Sequence, residues 1–357
     1  VTAIMGNFFR VGLTRDCLGT DGKTPVFDPA AFDVLRAEAS LSFEILAEGG
    51  TEVTPAQASR YDALVVLMPR VTARTLSGAD RRLRLIARFG VGYDNVDTDA
   101  CTRAGVALTI TPDGVRRPVA TIILAFVLAL SHRLFVKDRL TKSGRWNERT
   151  DHMGVGLTGK VFGAIGLGNI GREAFRLLRP LDMVHIACDP LARPAEAAAL
   201  GVRLVDLDTL LREADFVSVS CPLSPETRHL VDAAALAKMK PTAFLINTAR
   251  GPIVDEAALT EALAARRIAG AALDVFDQEP TPADNPLLAL DNVITTPHSL
   301  CWTDECFRRI AEDAFTSVVA VARGMAPVNV VNRAVLEDAG FAAALAARRK
   351  LIAGGQS

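Results

Sequence analysis

The stretch GAIGLGNIG, residues 163–171, follows the apolar residues KVF and runs directly into REAFRLLRPL. Gly166, Gly168 and Gly171 fall in the spacing G-x-G-x-x-G, after a predicted strand and before a predicted helix. In that context the first glycine permits a tight turn, and the second lets backbone approach a pyrophosphate. The third allows the helix to pack closely on the strand, and the helix N-terminus stabilises the anion. The next apolar run, VHIACD, ends at Asp189, 18 residues beyond Gly171. A carboxylate there would accept hydrogen bonds from an adenosine ribose and repel a 2′-phosphate, so NAD is expected in preference to NADP. Glycines in an ordinary turn with Asp189 as a loop acid is the competing reading, and the combined context disfavours it.

This motif begins almost halfway along a chain of 357 residues. The reason lies upstream, where β-rich runs (RVGLTRD, SFEILAE, DALVVLM, LRLIARFG) alternate with helical patterns such as AAFDVLRAEA and TPAQASR through the first hundred residues. Such alternation implies a parallel sheet with crossover helices. A second series, KVFGAIG, VHIACD, DFVSVS, AFLINTA, AGAALDV and NVITTP, is separated by amphipathic helices that open with Asp, including DLDTLLREA and DEAALTEALAAR. The long helical pattern TDECFRRIAEDAFTSVVAVARG then stops at Gly324. We therefore expect an α/β protein of two doubly wound parallel-sheet domains. Residues 1–112 open a first domain, 113–303 form an inserted nucleotide-binding domain, and 304–357 return to the first with a C-terminal tail. The tail, EDAGFAAALAARRKLIAGGQS, reads equally as a docked helix or a loose end.

Half of the residues are hydrophobic and the formal net charge is -1, so the chain is globular with no electrostatic footprint for nucleic acid or an anionic membrane. A small-molecule partner is expected. The six cysteines form no C-x-x-C pair and no zinc-site spacing, which fits reduced thiols in a cytoplasmic protein without a metal. VTAIMGNFFRVGLTRD lacks the features of a secretory signal. The apolar run VATIILAFVLAL, residues 119–130, predicts a helix of roughly 18 Å, short of the ~30 Å bilayer core, and reads as a buried helix.

Three segments fall at the carboxyl ends of second-series strands, where doubly wound folds place ligands. They are NTARG with Arg250, ALDVFDQEP with Asp274 and Glu279, and TTPHSL with His298. Each alone is an ordinary surface charge, turn acid or loop histidine. Their joint placement beside a dinucleotide loop is the signal.

The chain at this point resembles the D-isomer-specific 2-hydroxyacid dehydrogenases, over about residues 9–332. FGVGYDNVD, GAIGLGNIG, CPLSPETRHLV, LINTARGPIVDEAAL, GAALDVFDQEP and TPH occur in the family's order. The resemblance implies a flavodoxin-like substrate domain, an inserted Rossmann domain binding NAD, a 2-oxo or 2-hydroxy acid substrate, and a homodimer. It also implies a catalytic Arg250, Glu279 and His298. Reducing a 2-oxo acid needs a hydride, a proton and a cation for the carboxylate. Protonated His298 would be the acid, Glu279 would orient its ring and favour the charged form, and Arg250 would offer a planar fork of donors. By the same mapping, the backbone of Val91 and Gly92 binds the substrate carboxylate. Asn169 and Ile170 meet the pyrophosphate, Cys221, Thr227, Thr248 and Ala249 line the cofactor, and Asp274 holds the nicotinamide amide.

The chain departs from the family pattern at DGVRRPVATI, where Thr121 stands in place of an acid behind Arg116 and Arg117, and at SLCWTDE with Trp302. Both departures bear on substrate identity more than on reaction type. An NAD-binding regulatory protein of the same fold is the competing class. Within enzymes, a formate or phosphite dehydrogenase is the runner-up, and Glu279 argues against formate because no proton is transferred there.

Overall fold

The computed structural model describes residues 8–78 and 82–354. The start of the N-terminal stretch read for a signal, residues 1–7, and the last three residues of the tail lie outside them. The chain divides into two units, one built from residues up to Val115 and from Thr303 onward, the other Arg116–Trp302.

In the first unit, β1 (Phe9–Leu13), β2 (Leu41–Ile45), β3 (Ala63–Val66), β4 (Leu85–Arg88) and β5 (Ala107–Thr109) form one parallel sheet in the order β2-β1-β3-β4-β5. This is the flavodoxin-like order, with its reversal between β1 and β3. The run ALVV of β3 is buried throughout, as a central parallel strand covered on both faces must be. β5, a three-residue strand at the sheet edge, is absent from the sequence-based reading. Residues far along the chain hold it: Leu108 N–H donates to Asn332 Oδ1 at 2.8 Å, and Val331 N–H to the Leu108 carbonyl at 2.8 Å.

The helix Asp304–Ala322 starts where Thr303 Oγ1 accepts the Cys306 N–H at 3.1 Å and stops before Gly324, whose φ is +72°. The tail is a docked helix, Ala339–Gly354, with Phe341 and Leu345 buried. Arg348 fastens it, Nε donating to the Ala322 carbonyl and Nη2 to that of Ser40, each at 2.8 Å.

The second unit holds β6 (Val161–Ile165), β7 (Val184–Cys188), β8 (Val202–Leu204), β9 (Phe216–Val219), β10 (Phe244–Asn247), β11 (Gly270–Leu273) and β12 (Val293–Thr295). All pair parallel in the order β12-β11-β10-β9-β6-β7-β8, the Rossmann arrangement with its switch point between β6 and β9. Six of these strands are expected from sequence. The seventh, β8, is again a three-residue edge strand. Asp206 and Asp255 cap the helices that follow them, accepting from the Thr209 and Ala258 N–H groups at 2.7 and 3.0 Å.

The apolar run at 119–130 belongs to a longer helix than expected, Pro112–Ser131, because PDGVRRP continues it toward its N-terminus. Its length and composition suffice to cross a membrane, yet 67% of its most apolar window is buried within the protein. Ala120, Ile123, Phe126, Val127 and Leu130 pack with Phe162, Phe175 and Ile246 in the core of the second unit. Apart from Ala120, side chains of this size contribute roughly 1.5–3 kcal/mol each on burial, which accounts for the run without a lipid phase.

His185 is buried on β7 against the rings of Phe175 and Phe162, at 5.1 and 6.5 Å. Its Nε2 has no hydrogen-bond partner among the described residues, and burial lowers its pKa from 6.5. The unfolded chain therefore takes up this proton more readily than the folded one. Stability is unaffected above pH 6.5 and is lost as pH falls below it, with a slope of at most about 1.4 kcal/mol per pH unit from this group. His185→Phe should flatten the pH dependence of the urea midpoint below pH 6.5. An unchanged slope would show that other groups set the acid limb.

Candidate active site

The glycine loop leaves β6 through Gly166, whose φ is +105°. A Cβ there would lie 2.7 Å from the Cys221 nitrogen and the Ser220 carbonyl, so a side chain would push the turn off the end of β9. A Cβ on Gly171 would meet the Gly166 carbonyl oxygen at 2.6 Å, whereas one on Gly168 would have nothing within 4 Å. Open space thus fronts the helix Asn169–Leu178, whose N-cap is Gly168 and whose first turn receives no side-chain cap. The Asn169 and Ile170 N–H groups in that turn have no intrahelical acceptor.

Asp189 follows β7. Its Oδ2 accepts the Leu167 N–H at 2.7 Å and its Oδ1 the Leu191 N–H at 2.8 Å. A carboxylate has about four acceptor positions, so capacity for hydroxyl donors remains. Burial pushes the Cys221 thiol up to about 11. The Thr227 hydroxyl closes its own loop, donating to the Pro222 carbonyl at 2.7 Å and accepting the Ser224 N–H at 2.8 Å.

β10 ends at Asn247, which is fully buried. Its Nδ2 donates to the Arg250 carbonyl at 2.9 Å and its Oδ1 accepts the Ala249 N–H at 3.1 Å, so one amide folds the turn through Thr248, Ala249 and Arg250. Gly251 then presses on the next loop: a Cβ there would overlap the backbone of Phe276 and Asp277. That loop carries Glu279, whose Oε1 accepts the Phe276 N–H at 3.0 Å and whose Oε2 lies 2.6 Å from His298 Nδ1.

Burial tends to raise the Glu279 carboxyl, but its hydrogen bond to His298, the Phe276 N–H and the Arg250 charge together hold it below the usual carboxylate value. The pair is partly exposed, so it adds little to stability. Its value is chemical: with Nδ1 held, Nε2 is the ring nitrogen left to exchange a proton. Asp274, buried after β11, directs Oδ1 at the residues flanking His298.

A family model described as D-isomer specific 2-hydroxyacid dehydrogenase, NAD binding domain, matches residues 124–299. A glyoxylate reductase of Korarchaeum cryptofilum is 35% identical over 331 residues, 92% of this chain and 97% of that protein. The chain belongs to the D-isomer specific 2-hydroxyacid dehydrogenase family. A D-3-phosphoglycerate dehydrogenase of Archaeoglobus fulgidus is 38% identical over 312 residues, 87% of this chain, but the chain spans only 59% of that relative's length. Among solved structures, a D-lactate dehydrogenase from Aquifex aeolicus complexed with NAD and lactic acid is similar at a TM-score of 0.77 and 28% identity, covering 88% of this chain and 96% of that one.

The second unit contains this family's NAD binding domain, and its residues fit the cofactor. The helix N-terminus, which no side chain caps, suits a pyrophosphate, and Asp189 stands beside it where a ribose would need an acceptor. Arg250, Glu279, His298 and Asp274 gather on the loops after β10, β11 and β12, while Val91 and Gly92 lie in the other unit after β4. Among the described residues, no group of three or more His, Cys, Asp or Glu side chains is placed to hold a metal ion.

Of the two arginines at the departure from the family pattern, Arg117 is committed to Glu173, Nη1 to Oε1 at 2.7 Å. That bond, working against burial, keeps the Glu173 carboxyl below its ordinary value. Thr121 Oγ1 donates back to the Arg117 carbonyl at 2.9 Å. Sequence reasoning passed over Asn247, Glu173 and the contact at Gly251. The signal available for Asn247 was a polar residue ending an otherwise apolar strand directly before the TARG turn.

Proposed function

We propose that this protein reduces a 2-oxo acid to the D-2-hydroxy acid with NADH, and runs the reverse reaction with NAD. The observation that carries the reading is the 2.6 Å contact between His298 Nδ1 and Glu279 Oε2, on strand-end loops of an NAD binding domain. When bound, NADH supplies the hydride. His298 donates its Nε2 proton to the substrate oxygen as the carbonyl is reduced, and takes it back in the oxidation direction. Glu279 keeps the Nδ1–H oriented and stabilises the imidazolium. Arg250 pairs with the substrate carboxylate and polarises the carbonyl.

The test is a panel of 2-oxo acids (glyoxylate, pyruvate, hydroxypyruvate, its phosphate, and aromatic oxo-acids) assayed for NADH consumption. Turnover of at least one, slowed roughly a hundredfold or more in His298→Gln, is the expected result. Tight NADH binding with no turnover on any member would return the chain to an NAD-binding regulator.

Cofactor choice rests on Asp189. NADH should be preferred to NADPH, because a 2′-phosphate would sit against a carboxylate, at a cost of roughly tenfold or more in kcat/KM. Asp189→Ala should narrow that ratio. It should also weaken NADH itself, since the Leu167 N–H loses its acceptor. Equal efficiency with both cofactors in the unmodified protein would overturn the assignment.

A homodimer is part of this proposal. Leu128, Leu134, Phe135, Trp146 and Met153 are exposed within one stretch of the second unit, in which the helix Leu134–Lys142 packs on the turn Trp146–His152. Apolar side chains concentrated this way are expected to be covered by a second copy. Sedimentation velocity should show a dimer that Phe135→Glu with Trp146→Glu converts to monomer. A monomeric wild-type protein would sink the idea.

A further inference from the structure

We propose that Asp274 is a positioning residue for His298: its carboxylate clamps the turn that presents the ring to Glu279. This rests on the acid–base reading of His298 above. The observation behind it is the backbone of His298, which has a φ of +51°, a left-handed conformation that a residue with a side chain adopts only when its surroundings impose it. The donors on either side of it converge on one atom. Asp274 Oδ1 accepts the Thr296 hydroxyl at 2.6 Å from the residue two before His298. It also accepts the Ser299 and Leu300 N–H groups, at 3.2 and 3.3 Å, from the two residues after it.

Asp274 is itself well placed to hold the turn. It directly follows β11, which pairs in parallel with β12 from Ala271 opposite Val293 to Leu273 opposite Thr295, and the ladder continues with Thr296 N–H donating to the Leu273 carbonyl at 2.9 Å. The carboxylate is only 3% exposed, so its three donors are also what makes its burial tolerable. Two residues later the same segment supplies the Phe276 N–H that holds Glu279. One short loop thereby fixes both partners of the 2.6 Å contact, His298 through Asp274 and Glu279 through Phe276.

A hold on the nicotinamide amide, the role implied by family resemblance, is a different function for this side chain, and the two separate experimentally. The primary readout is the ring titration of His298 followed by NMR in the protein without cofactor, where catalysis plays no part. With five histidines in the chain, the His298 signal is assigned by its loss in His298→Gln. In the wild type its titration should respond to Glu279→Gln. In Asp274→Ala it should move toward the Glu279→Gln profile and no longer respond when Glu279→Gln is added. Asp274→Asn should restore the wild-type profile, because three donors demand an oxygen and the amide still provides one. Thr296→Val, which removes one donor and leaves the carboxylate, should give an intermediate profile and serves if Asp274→Ala does not fold.

In the active enzyme, kcat for reduction should fall roughly hundredfold in Asp274→Ala, the scale expected when a reacting group is misplaced by about 1 Å, and recover in Asp274→Asn. An unchanged His298 titration in folded Asp274→Ala and Thr296→Val, with only KM for NADH raised, would overturn the positioning role and leave the cofactor role. A normal NMR result with no turnover on any substrate would instead count against the enzymatic reading alone.

Discussion

His298→Gln should slow reduction of the 2-oxo acid by roughly 10² to 10⁴-fold, the usual contribution of a positioned proton donor, while NADH affinity stays near wild type. The companion variant Glu279→Gln tests how the proton is held. Reduction consumes the His298 proton, so its rate falls as pH rises, and oxidation needs the neutral ring, so its rate falls as pH drops. Glu279 is held below the usual carboxylate value by His298 and the Phe276 N–H against the opposing effect of burial. Its negative charge is therefore present through the neutral range and is lost only as pH falls through that lowered value. Gln keeps a hydrogen-bonding side chain and removes the charge, so the alkaline limb of the reduction profile should move to lower pH. The measurement is kcat/KM against pH for both proteins, with a solvent isotope effect confirming that proton transfer is visible. A limb that stays in place while that effect is present would remove Glu279 from its assigned role.

Gly251→Ala should be nearly as damaging, although Gly251 contributes no functional group. The added Cβ would overlap the carbonyl of Phe276 and the nitrogen of Asp277, which are backbone atoms and cannot swing aside. Relief requires moving the turn that carries Arg250 or the loop that carries Glu279. A displacement of about 1 Å costs on the order of 10² in rate. Overpacking of this kind also costs about 1–3 kcal/mol of stability. Gly168→Ala is the control within the same unit. Its Cβ meets nothing within 4 Å, so the melting temperature should hold while NADH binding weakens. Equal melting temperatures for Gly251→Ala and the wild type, with kcat intact, would show that the two loops do not depend on each other.

The contrast between these glycines shows where sequence reading ends. Gly166, Gly168 and Gly171 could be assigned different tasks because their spacing sits between a strand pattern and a helix pattern. The crowding at Gly251 depends on Phe276, 25 residues away, and no periodicity reports it. The long central strands were legible because parallel strands buried on both faces are continuous apolar runs. The edge strands β5 and β8 went unread, although β12, equally short and also at a sheet edge, was read from NVITTP. Arg250, Glu279 and His298 were found through motif order, whereas the Asp274 clamp depends on a register between β11 and β12 that only coordinates reveal. Arg117 reads as a site departure in the sequence, but its ion pair with Glu173 is a property of helix packing.

The stitching of β5 by Asn332 and the docking of the Arg348 helix bear on how the chain reaches this structure during synthesis. The second unit is one unbroken run, Arg116–Trp302, so all of its partners have been made once Trp302 leaves the ribosome. The first unit begins earlier and finishes later. Leu108 must wait for Asn332, 224 residues downstream, and Ser40 must wait for Arg348, 308 residues downstream. Domains generally fold as units as they emerge, so the middle of this chain should acquire its native contacts before the end that is made first. Until then β5 presents an open sheet edge to solvent or to a chaperone, and the contacts of Leu108 with Val331 and Asn332 end that exposure.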